Sequence, residues 1–103
     1  MKKTKVKQLE KAGWRVGSTA DFLELSPEES ALIEMRLALS ASLKARRLEQ
    51  GLSQSDLAEQ LASSQSRIAK MEAGDASVSL DLLIRALLAT GAAPREIARA
   101  IYA

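Results

Sequence analysis

No cysteine and no histidine occur in this chain of 103 residues. Their absence excludes disulfides, zinc held by Cys or His, and any nucleophile system built on either side chain. Aromatics are scarce, with one Trp, one Tyr and one Phe. Leu, Ala and Ile must therefore fill the interior, which favours helices over a β-sandwich. No apolar run is long enough to cross a bilayer. The basic start is not followed by an apolar stretch, so no secretory signal is expected. The lack of cysteine fits a reducing, cytoplasmic setting. The acids fall at helix starts and on polar faces, and no convergent catalytic set emerges. No enzymatic activity, metal or cofactor is expected.

What remains is apolar and unevenly charged. Apolar residues make up 47% of the chain, enough for the core of one small domain. The net charge of +2 conceals three blocks. Residues 1–15 carry six Lys/Arg against one Glu, residues 16–35 carry five acids and no base, and Arg36, Lys44, Arg46 and Arg47 follow. The division expected is a basic arm over 1–17 and a domain over 18–103. Trp14, in Gly13-Trp14-Arg15-Val16-Gly17, suits a small satellite core or a docking point. Ser18 or Thr19 could cap one turn through Phe22 and Leu23.

Punctuation then marks five helices. Ser26-Pro27-Glu28-Glu29 combines an N-cap, proline at the first helical position and a capping box. The helix it starts should run from 27 to about 50, with Leu32, Met35, Leu39, Leu43 and Leu48 near one stripe and Ser40 or Ser42 marking any break. Gly51 ends it as a left-handed cap. Ser53-Gln54-Ser55-Asp56 is a second capping box, opening a helix near 54–61 with Leu57, Ala58 and Leu61 inward. Ala62 and Ser63 form a tight turn. Ser64 caps a helix near 65–73 with Ile68 and Met71 inward, closed by Gly74. Ser79 caps a helix over 80–90 that is apolar all round. Its surplus face, with Leu82, Ile84 and Leu88, is expected to meet a second copy of the chain. Gly91 ends that helix, and Pro94 opens the last, carrying Ile97 and Ile101.

Two short helices across a tight turn suit DNA, because the first braces the second and the second enters the major groove. The outward residues of the second are Gln65, Ser66, Arg67, Ala69 and Lys70. Gln can pair bidentately with adenine, and Arg or Lys with guanine. Residues 52–61 resemble the scanning helix of the Cro/C1-type (XRE) helix-turn-helix family, and residues 64–74 its recognition helix. The resemblance implies an all-α, five-helix, lambda-repressor-like fold preceded by a long helix and a basic arm. It implies base contacts from Gln65, Ser66 and Lys70, with Arg67 on a base or a phosphate, and a phosphate contact from Gln54; Ser64, Lys44 and Arg46 are further candidates for phosphate. Arg47 and Glu72 match a structural ion pair. The implied partner is double-stranded DNA with an inverted-repeat operator, bound by a homodimer through Leu82, Ile84, Leu88 and Ile101. Ala62 stands where the family commonly has glycine. The whole layout also resembles HigA-type antitoxins, repressors of their own operon often paired with a RelE-like toxin. A protein-interaction module of the same fold that has lost DNA binding is the alternative.

Overall fold

The computed structural model describes residues 26–102. Within them lie five helices and no strand: α1 (Pro27–Glu49), α2 (Gln54–Gln60), α3 (Gln65–Ala73), α4 (Leu80–Ala89) and α5 (Pro94–Tyr102). The fold is all-α, as expected. The basic arm, Trp14 and the turn at Phe22-Leu23 lie outside the described residues. The chain divides into two units at the Ile33–Glu34 step, inside α1.

In the first unit, α1 starts with the expected reciprocal cap. Ser26 Oγ accepts from the Glu29 N–H at 3.1 Å, and the Ser26 N–H donates to Glu29 Oε1 at 3.0 Å. Leu32 is exposed.

The second unit holds the core. α2 to α5 have seven to ten residues each, too short to persist alone. Packing must hold them. Leu39 and Leu43 of α1, Leu57 of α2, Ile68 of α3, and Leu83 and Leu87 of α4 are completely buried. Each such burial contributes about 1.5–3 kcal/mol. α1 passes Ser40 and Ser42 without a break. Its buried stripe runs Leu39, Leu43, Arg47 at four-residue steps, so Leu48, about 100° further round, is exposed. The expectation that Leu48 lies inward is corrected: the position belongs to Arg47.

Two backbone positions shape the motif. Ala62, between α2 and α3, has φ +55°, while Gly51, Gly74 and Gly91 are also positive. The Ala62 N–H reaches Glu59 O at 3.2 Å and the Ser63 N–H reaches Ala58 O at 2.7 Å, so the turn is closed by backbone bonds despite the strained residue. Gly74 ends α3 at φ +72°, and a Cβ there would stand 2.7 Å from Leu37 Cδ2. Glycine thus serves both the left-handed turn and the close approach of α3 to α1.

Candidate nucleic-acid interface

Each of the two motif helices starts on its own serine cap. Ser53 Oγ accepts from the Asp56 N–H at 3.0 Å, and the Ser53 N–H donates to Asp56 Oδ2 at 2.9 Å. That backbone N–H, then the Ser53 hydroxyl, holds the Asp56 carboxyl below the usual aspartate range. Ser64 caps α3 by accepting from the Arg67 N–H at 3.2 Å.

α3 turns Ile68 and Met71 inward and leaves Gln65, Ser66, Arg67 and Lys70 exposed, with Ala69 half-buried. At about 100° per residue, Ser66 and Lys70 lie near the middle of the outward face. Gln65 stands at one edge, on the Glu72 side, and Arg67 at the other, on the Met71 side.

A continuous polar relay runs beneath the Gln65 edge. Arg47 Nε and Nη2 donate to Glu72 Oε2 and Oε1 at 2.6 and 3.0 Å, and Arg47 Nη1 donates to Leu52 O at 2.8 Å. The two side chains are 10% and 3% exposed. The hydrogen bond to Glu72 raises Arg47 above its already high ordinary value, outweighing desolvation. Gln54 Nε2 then donates to Glu72 Oε1 at 3.2 Å, and Gln65 Nε2 donates to Gln54 Oε1 at 2.6 Å. Gln65 is therefore fixed at its outer end, yet keeps its carbonyl oxygen and one N–H. Those are the acceptor and donor that an adenine edge requires. Gln54, expected only at phosphate, uses its acceptor on Gln65 and keeps one N–H free.

On the Arg67 edge, Ser64, Ser66, Arg67, Lys70 and Ser77 line a polar cleft of about 360 Å³ that Val78 and Leu82 close. Its hydroxyls and two cations are the groups that hold a phosphate. The loop below is tied by Ser77, whose N–H donates to Asp75 Oδ1 at 2.8 Å. Hydrogen bonds from the Ser77 side chain, then from its backbone, hold the Asp75 carboxyl below its usual range.

Arg46 corrects the sequence reading. Its Nε donates to Thr90 Oγ1 at 3.0 Å and its Nη2 to Thr90 O at 3.3 Å, and Nη1 lies 3.8 Å from Glu96 Oε1. Gln50 Nε2 shares Thr90 O at 3.2 Å. The guanidinium expected at phosphate instead closes the C-terminal end of α4, where positive charge is favoured. Lys44 lies on the opposite side of Arg47 from Arg46 and stays exposed. Arg36 Nε is likewise spent, on Val78 O at 3.0 Å. No sequence signal distinguished these arginines from free ones.

A sequence model of the helix-turn-helix family matches residues 43–97. The chain belongs to this helix-turn-helix family. The match runs from Leu43 in α1 to Ile97 in α5, so it spans the relay, both motif helices and α4. It agrees with the Cro/C1-type resemblance of residues 52–74, and the protein is accordingly a DNA-binding transcription regulator. No curated protein and no solved structure matches it. Among the described residues of this helix-turn-helix protein, no helix is long and apolar enough to cross a membrane, and no group of acids clusters as a metal site needs.

The expected pairing surface is divided. Ile84 and Leu88 neighbour each other on α4, but Leu82 lies about 160° round from Ile84. Leu88 and Ile101 are exposed, whereas Leu82 and Ile84 are half-buried against the core. Leu82 lines grooves beside α3. One flat patch cannot use all four residues, and the apolar flank free of α3 is Ile84 with Leu88.

Proposed function

We propose that this protein is a sequence-specific repressor that binds an inverted-repeat operator as a symmetric homodimer, with no catalytic activity. The fixing of Gln65 by the Gln54–Glu72–Arg47 relay carries the reading, because a base-reading side chain gains from being held before DNA arrives. Gln65, Ser66 and Lys70 face bases. Arg67 serves a base or, with Ser64 and Ser77, a phosphate. Lys44 and the spare N–H of Gln54 take further phosphates. Ile84, Leu88 and Ile101 supply the apolar part of the pairing surface, setting two copies of α3 about 34 Å apart. The chain acts in the cytoplasm, where its DNA lies.

The layout before the motif supports a narrower role, as the autoregulating antitoxin of a RelE-like toxin. Its support is the Gly13–Gly17 segment followed by Phe22-Leu23 and the Ser26–Glu29 helix start. Rescue of growth on co-expression with a neighbouring toxin-like reading frame checks that role. The internal use of Arg36 and Arg46 favours a second reading, a protein-interaction module without DNA binding.

A salt titration on the protein's own upstream DNA and on a scrambled duplex separates these readings. Gln65→Ala should lose about 1–3 kcal/mol on the operator and almost nothing on scrambled DNA. Lys44→Ala should weaken both and flatten log affinity against log salt by roughly one unit per lost contact on each subunit. Arg46→Ala should leave that slope unchanged. Equal losses on both duplexes for Gln65→Ala would make Gln65 a backbone contact, and no binding to either would favour the second reading.

A further inference from the structure

Behind the recognition helix, between the Ala62 turn and α4, lies an open groove of about 660 Å³. Its apolar lining is Leu61 and Leu82, with the almost wholly buried Met71 and Ala86 behind them, and Arg67 and Arg85 line it too. No carboxylate lines it. Among the described residues Arg67 has no ion-pair partner, and Arg85 meets only Asp81, through Nε at 3.1 Å, with both side chains three-quarters exposed. Such a pair is weak in water and leaves the terminal nitrogens of Arg85 available. The volume is in the range of small-molecule sites, about 300–1,000 Å³.

We propose that this groove binds a small amphipathic carboxylate, its apolar body on Leu61 and Leu82 and its carboxylate between Arg67 and Arg85. A guanidinium presents paired donors that match a carboxylate. A free inorganic anion would leave the apolar lining unused, and a neutral apolar ligand would leave the guanidiniums unused. Arg67 also lines the polar cleft on the DNA side of α3. One guanidinium cannot serve both, so a carboxylate in the groove withdraws Arg67 from phosphate and antagonises DNA binding. This consequence rests on the regulatory reading above; the binding itself does not.

The test uses the full chain with octanoate, 1-octanol and acetate as probes, followed by NMR without DNA. Octanoate should give saturable shifts at Ala62, Ser63 and the Met71 methyl, while acetate gives none. 1-Octanol should bind about tenfold more weakly, as should octanoate to Arg67→Gln or Arg85→Gln, each having lost a charge-assisted contact. Equal affinity for octanol and octanoate, shifts centred on Ile84 and Leu88, or no saturation at millimolar octanoate would each overturn the proposal. In a gel shift on the protein's upstream DNA, octanoate should lower the affinity of the wild type. Saturation of the groove without loss of DNA affinity overturns the antagonism. A protein that binds no DNA at all overturns the regulatory reading instead, and the NMR result then decides the groove alone.

Discussion

Glu72→Leu is the most informative single change in the relay. It strands the Arg47 guanidinium, which loses two bonds of 2.6 and 3.0 Å and keeps only Leu52 O at 2.8 Å. It also takes away the acceptor of Gln54 Nε2. With the pair almost wholly buried, water cannot replace what is lost, so the cost should be about 3–5 kcal/mol. At an m-value of about 1.5 kcal/mol/M, the urea midpoint followed by circular dichroism falls by about 2–3 M. Arg47→Met should cost a similar amount, because it leaves the Glu72 carboxylate buried with only Gln54. The double variant is decisive. No charge is stranded in it, and the remaining penalty is the orphaned Leu52 O, at about 1–3 kcal/mol, because the Gln54 amide is only half-buried and can turn to water. The double variant should therefore be more stable than either single one. If its loss equals the sum of the two single losses, the side chains act independently and the ion-pair account fails.

Ala62→Gly should stabilise the protein by about 0.5–1 kcal/mol. Relief of the left-handed strain, about 1–2 kcal/mol, exceeds the added chain entropy of glycine, about 0.5–1 kcal/mol; a lower urea midpoint would refute the sign. Asp56 sets an acid limit. Its carboxyl is held below the ordinary value, so its contribution is complete above about pH 4 and is lost as pH falls through the native-state value. The stability gap between wild type and Asp56→Asn should be constant near neutrality and shrink below about pH 4; a gap that persists into strong acid would exclude the Ser53–Asp56 cap as its source.

The readable parts of this fold are the local ones. Ser26, Ser53, Ser64 and Ser79 each cap a helix whose first turn follows directly in sequence, and all four caps are present. The Arg47–Glu72 pair joins residues 25 apart and came only through family resemblance. The Gln54–Gln65 bond requires the first residues of α2 and α3 to meet, which depends on the φ +55° turn at Ala62. Arg46 was misplaced because its direction is decided by where α4 ends, at Thr90, forty-four residues away. The division of Leu82 from Ile84 and Leu88 was different, since helical spacing alone contains it.

The three arginines of α1 share one fate: Arg36, Arg46 and Arg47 each donate to a backbone carbonyl of the chain itself, at Val78, Thr90 and Leu52. Their charge is structural. Of the remaining Lys and Arg, six stand within residues 1–15, and α3 presents Arg67 and Lys70. Lys44, Arg85, Arg95 and Arg99 complete the twelve, so if the protein grips DNA as proposed, half of the cations available for mobile-ion release lie in that first stretch. Part of the holding would then be encoded apart from the reading. Substitutions on α3 could redirect the protein to a new operator without resetting its general hold on the chromosome. The relay under Gln65 and the clamp at Thr90 would keep the scaffold constant while preference evolves.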